Sequence, residues 1–185
     1  RLEAMKYFVA SHANDYEIVS YDKPVDYIKI FVNDLDCRRL SDTWVPVPVF
    51  RTSAYERAKA RPADFPYFAS HALVMRRTAV DILGDLIAED CEILPLSTDD
   101  NVELFVINAL RHIEMDYDRS VVMYLTGTKI PLLVHKYVFK KEKVDGIHLF
   151  RPQQRGGDTI VSEAFYNLYT QAKLTGLLFK EVTVE

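Results

Sequence analysis

Apolar residues recur in two rhythms along the chain, and the rhythm predicts the elements. Runs rich in β-branched and aromatic residues read as strands. These are Lys6–Val9, Tyr27–Val32, Val102–Ile107, Val121–Leu125 and Leu132–Phe139, the last two joined by a Thr126-Gly127-Thr128 turn. Ile113–Tyr117 alternates apolar and polar positions, which predicts another strand with one buried face. Trp44–Phe50 has strand composition but carries Pro46 and Pro48. Proline has no N–H to give a ladder, so this piece is expected at a sheet edge or as an extended loop. Leu94-Pro95-Leu96 reads as extended, and Gly146–Arg151, Asp158–Val161 and Phe179–Val182 as further strands. Gly156 and Gly157 allow positive φ in the Gln153–Gly157 connection.

The helical rhythm is clearest in Thr78–Ala88. Ala79, Ile82, Leu83, Leu86 and Ile87 fall on one stripe at helical spacing, with Thr78 placed to cap the start. Glu163–Lys173 is the second helix, with Ser162 as N-cap, Glu163 in the positive first turn and Gly176 placed to end it. Its buried face is expected to be Phe165, Leu168, Tyr169 and Ala172. A short helix over Thr52–Lys59, capped by Ser53, and a proline-bearing loop over Arg61–Ser70 complete the reading. At an offset of 86 residues, Val74-Met75, helix, Ile93–Leu96 is echoed by Ile160-Val161, helix, Phe179–Val182. The expected fold is a single α+β domain over residues 5–185, mainly antiparallel sheet with about three packed helices. Arg1–Ala4 is expected to be an addition ahead of a natural start at Met5.

Composition adds bounds. With 185 residues, 49% of them hydrophobic, the chain can bury a core without a disulfide or a metal. No apolar run approaches the ~20 residues of a membrane-spanning helix, and Arg1–Lys6 lacks the apolar region of a signal peptide. Two cysteines, Cys37 and Cys91, read as buried free thiols in a reducing cytoplasm. The net charge of −4 is unevenly spread. Glu89–Asp118 holds nine acids and one base, Arg111, a balance of −8 that leaves +4 for the rest. Lys136, Lys140, Lys141, Lys143 and Arg151 make the later part basic. Such an acidic segment repels nucleic acid and suits a basic protein partner.

Candidate chemistry is sparse. His112, Glu114 and Asp116 stand at alternate positions, so on a strand all three would share a face and could ligate a metal. This is the basis of the alternative reading, a metal-dependent nuclease or hydrolase, with Lys136 as activator. No zinc-finger spacing, phosphate loop or G-x-S-x-G elbow accompanies it. The leading reading therefore has no catalytic residue, metal or cofactor.

Three blocks carry a family likeness. The first is Asp64-Phe65-Pro66-Tyr67-Phe68 with Leu73–Arg76, the Ala79–Ile87 helix and Ile93–Leu96. The second is Phe105–Arg111 running into Glu114–Asp118. The third is Asp145–Arg151, Ile160–Glu163 and Leu174–Val182. In order and spacing they resemble the eleventh immunity-protein family of bacterial polymorphic toxin systems, formerly a domain of unknown function. The likeness runs from Asp64 to the end; in its third block Ile147-His148-Leu149 stand where the family has one residue before Phe-Arg. It implies a cytoplasmic, non-catalytic protein that binds and blocks a cognate toxin, often a nuclease. Glu114, Asp116 and Asp118 are the expected partner-binding residues, since alternate positions share a strand face and acids complement a basic toxin cleft. Should they prove mere surface, the aromatic Asp64–Phe68 segment is the next place for contact.

Overall fold

A computed structural model of the chain describes residues 5–21, 23, 35–52, 61–68, 72–152 and 157–185. The expected strand Tyr27–Val32 and the helix expected over Thr52–Lys59, beyond Thr52 itself, lie outside them. The fold is α+β, with antiparallel pairing prevailing. The elements run β1 (Tyr7–His12), β2 (Ile18–Tyr21), β3 (Pro48–Thr52), β4 (Tyr67–Phe68), β5 (Val74–Arg76), α1 (Arg77–Ile87), β6 (Cys91–Pro95) and β7 (Ser97–Thr98). There follow β8 (Leu104–Ala109), β9 (Val121–Tyr124), β10 (Pro131–Lys136), β11 (Val138–Phe139), α2 (Lys141–Val144), β12 (Leu149–Phe150), β13 (Thr159–Ser162), α3 (Glu163–Gln171) and β14 (Leu177–Val184).

The 86-residue echo is a structural repeat of one supersecondary unit. In the first copy, β5 and β6 are both antiparallel to β8, which lies between them, and α1 connects them. In the second, β13 and β14 are both antiparallel to β1, which lies between them, and α3 connects them. Each copy is thus a β-α-β crossover opened to admit a third strand. Ala79 and Leu83 of α1 are buried at the positions equivalent to Phe165 and Tyr169 of α3, and the two helices pack on each other. A single apolar cluster joins both helices to the inner faces of both sheets through Phe8, Met75, Ile107 and Val161.

Strand periodicity places the other two cores. Neighbours of the inner residues point outward: Val74, Leu94 and Val106 pack with Val19, Val49 and Phe68 of the β4-β2-β3-β7 sheet. Tyr7, Ile160 and Val182 pack with Phe139 and Phe150 on the far side of the five-stranded sheet. Strands β5, β8, β12 and β13 are therefore covered on both faces and read as nearly continuous apolar runs, whereas β14 keeps Leu178, Lys180 and Glu181 exposed.

Several local expectations are corrected. Helix α1 starts at Arg77 with Arg76 as N-cap and no side-chain cap; Thr78 donates instead to Asp64, at 2.5 Å. Ile82 is exposed, because the buried stripe runs through Ala79, Leu83 and Ile87 with Val80 at its margin. Ser162 does cap α3, its hydroxyl accepting from the Phe165 N–H. Ala172 is exposed, and α3 closes with Lys173, not Gly176, in the left-handed region at φ 55°. Gly176 has a different task at φ 106°: a Cβ there would overlap the Phe65 carbonyl. Strand β3 is internal, between β2 and β7, and tolerates Pro48 because that residue opens the strand. Both cysteines are free, Cys91 buried and Cys37 half-buried.

Ile113–Tyr117 forms no strand ladder. The segment is extended and held at two points, Ile113 N–H to Arg151 O at 2.9 Å and Asp116 N–H to Val138 O at 2.8 Å. Ile113 and Met115 are buried in the third core, so the alternation read correctly without a sheet to host it.

Candidate functional site

The acids of Glu89–Asp118 do not act together. Asp90 is buried; its carboxylate accepts from Arg111 Nε at 3.1 Å and from the His148 N–H at 2.7 Å, tying the two repeat copies together. Glu92 is buried and takes the N–H groups of Leu40 (2.8 Å) and Ser41 (3.2 Å) and the Asn108 amide (2.8 Å). Burial pushes its carboxyl up, but these donors together hold it below the usual carboxylate range. Asp100 pairs with Arg51, and Glu103 with Arg77. The acidic segment thus presents only part of its charge outward: Asp90, Glu92, Asp100 and Glu103 are spent inside the fold or in pairs.

Of the three acids expected to contact a partner, Glu114 and Asp118 are exposed. Asp116 is half-buried, and its Oδ1 accepts the N–H groups of Asp118 (3.1 Å) and Arg119 (3.2 Å), fixing the turn into β9. His112, Ile113, Glu114 and Lys143 line a shallow open hollow. Among the described residues no three His, Cys, Asp or Glu side chains converge as a metal-ligand set. Asp116 in particular is turned into its own turn and does not continue the His112–Glu114 face. Cys91 is a poor nucleophile, since burial, and then Asp90 and Glu92, push its thiol up to about 12. A larger hollow over β3 and β7 is walled by Glu17, Arg51 and Asp100, whose charges are paired: Glu17 accepts from Arg51 (2.9 Å) and Arg76 (2.6 Å), and Arg51 also donates to Asp100, leaving its Nε without a partner among the described residues.

What stands out is apolar. Strands β9 and β10 form a separate two-stranded sheet. Seven large hydrophobic residues of this hairpin are exposed: Val121, Met123, Tyr124, Leu125, Ile130, Leu132 and Leu133. Elsewhere among the described residues only Val45, Ile82, Tyr117 and Leu178 are so exposed, and of these Tyr117 adjoins the hairpin. Scattered exposed apolar residues are ordinary; a contiguous group marks a contact surface. Tyr117 joins the hairpin to the acids: its hydroxyl is pushed up by burial and then by the nearby Glu114 and Tyr124. The candidate surface is thus an apolar hairpin with the exposed Glu114 and Asp118 at its foot.

The sequence pattern identified both strands but not their exposure, because VVMY and PLLVHK read like strands of a core. Nothing in the two strands' own pattern marks this exposure, because it depends on which other elements reach them. The Asp64–Phe68 segment cannot supply the alternative contact, since Phe65 and Phe68 are core residues and the Asp64 carboxylate is engaged by Thr78 and Thr175.

The model of the immunity protein family Imm11 matches residues 89–184, just over half of the chain. The matched span holds the second and third blocks of likeness, the acidic segment, the hairpin and the β13-α3-β14 part of the second repeat copy. No curated protein matches the chain. No described helix is long and apolar enough to cross a membrane.

Proposed function

Because the chain belongs to the Imm11 immunity protein family, we propose that it binds a cognate secreted toxin domain and blocks it without chemistry of its own. The observation that carries this reading is the exposed apolar hairpin bordered by Glu114 and Asp118. Such a surface offers nothing to a small substrate and much to a protein. In this reading residues 5–185 act as one unit in the bacterial cytoplasm, with no cofactor, membrane or nucleic acid as partner. Glu114 and Asp118 contribute mainly by steering a basic toxin, such as a nuclease, toward the surface, an effect that fades as salt shortens the ~8 Å Debye length. Asp116 acts by holding the turn that presents them.

The test co-expresses the chain with the adjacent open reading frame, taken as the candidate toxin. Neutralisation and co-purification are expected. In stopped flow, Glu114→Lys with Asp118→Lys should slow association roughly tenfold at low salt and much less at high salt. Rescue of toxicity by a chain that never copurifies with the toxin would defeat direct binding. An unchanged rate at low salt would confine these two acids to solvent.

A further inference from the structure

The two faces of the hairpin differ. Register pairs Met123 with Leu133, Val122 with Val134 and Tyr124 with Pro131, and the Leu125 N–H donates to Ile130 O at the end of the ladder. Side chains directly opposite share a face, and successive residues alternate. One face therefore carries Val122, Tyr124, Pro131 and Val134, and it seats Val122 and Val134 against the third core. The other face carries Val121, Met123, Leu125, Ile130 and Leu133, all exposed: 51%, 44%, 47%, 60% and 48%. A bulge lets Leu132 protrude as well, at 62%. Lys136 stands opposite Val121 at the stem.

Resting on the toxin-binding reading, we infer that this outer face is the docking surface, and that its occupant is an apolar cleft on the toxin domain with basic residues along its rim. Val122 and Val134 already seat the hairpin on the third core, and among the described residues nothing packs on its outer face. An edge or face this apolar invites association, and proteins normally break it with charge unless it is covered. A membrane is disfavoured by the acidic foot, because anionic lipid attracts basic rims. Glu114 and Asp118 complement a basic rim, and Tyr117 beside Glu114 supplies an aromatic at the boundary between apolar centre and charged edge. A narrow projection flanked by charge on one side fits a concave partner better than a flat one.

The measurement is calorimetric titration of the candidate toxin domain, in an active-site-silenced form, into the full chain. The variant M123T/L133T removes the centre of the outer face; Leu178→Thr removes an equally exposed apolar group on β14. M123T/L133T should bind at least ~100-fold more weakly and Leu178→Thr within about twofold of wild type. Circular dichroism melts check that M123T/L133T folds. Should it not, Leu133→Gln and Ile130→Gln, tested singly, carry the same expectation at about tenfold each. Equal binding by wild type and M123T/L133T overturns the docking face and leaves the toxin-binding reading intact. Failure of the wild-type chain to bind overturns that reading and the named occupant with it. Light scattering separates the remaining outcome: a wild-type dimer that M123T/L133T converts to monomer, with toxin affinity unchanged, makes a second copy the occupant and overturns the inference.

Discussion

Strands β13 and β9 have four residues each, TIVS and VVMY, and either sequence would pass for the other as a strand. Every residue of β13 is buried, whereas β9 is exposed at three positions and half-buried at one. The difference lies in neighbours. β13 sits between β12 and β1, with α3 on one face and the third core on the other. Among the described residues β9 has β10 alone as a strand partner, and one of its faces meets the core. Propensity makes the strand in both cases. What covers it decides whether the same residues contribute to stability or remain available for association.

That contrast is easiest to break at the central core. Leu83 is fully buried between the two repeat copies, and Leu83→Ala should cost about 2–5 kcal/mol, the range for deleting a leucine side chain in a core that relaxes only partly. Urea melts give the value directly. A loss under ~0.5 kcal/mol would mean that the interface between α1 and the sheets is loosely packed, and that the covered and uncovered regions differ less than their exposure implies.

These two regions also mark how far the sequence could be read. The helical stripes, the Ser162 cap and the 86-residue echo were legible because period, cap chemistry and burial all act locally. Gly176 was misread as a helix stop because its true constraint is the Phe65 carbonyl, more than a hundred residues away. Thr78 was misread as a cap because Asp64 competes for its hydroxyl. The acidic segment looked uniform in sequence, but tertiary partners had withdrawn Asp90 and Glu92 from the surface. The outer face of the hairpin was illegible for a related reason: exposure is a property of everything that could cover a strand and does not.

A proton sharpens the comparison at intermediate magnitude. His12 closes β1 in the covered region, with Nε2 3.4 Å from Ala72 O and the ring beside Tyr67. Burial, only partly offset by the Ala72 carbonyl, lowers its pKa to about 4. The folded state then resists protonation that the unfolded chain accepts near 6.5, so the contribution is whole above ~6.5 and falls as pH drops toward 4. Stability should decline over that window by roughly 1–2 kcal/mol more in the wild type than in His12→Gln, by urea melts at pH 7 and 4.5. Parallel losses in the two proteins would assign the acid sensitivity over this window to other groups. Glu92, whose carboxyl is held below the usual carboxylate range, loses its contribution in the same direction but at lower pH, as the pH falls through that depressed value.

The smallest effect is the most discriminating. If the outer face of β9–β10 is idle in the free protein, M123T/L133T should leave the stability of the isolated chain within about 0.5 kcal/mol of wild type, as for surface substitutions that touch nothing structural. Threonine keeps strand propensity and removes only apolar surface that water already reaches. The same two substitutions in a core would cost several kcal/mol, since each deletes buried methylene groups and strands a hydroxyl. A near-zero change in the urea midpoint, together with an unchanged denaturant slope, would show that the face is not buried in the free chain. A loss above ~1.5 kcal/mol would show the reverse, that the chain itself covers Met123 and Leu133 in solution. The hairpin would then be part of the fold's own core, and the distinction between β13 and β9 would disappear.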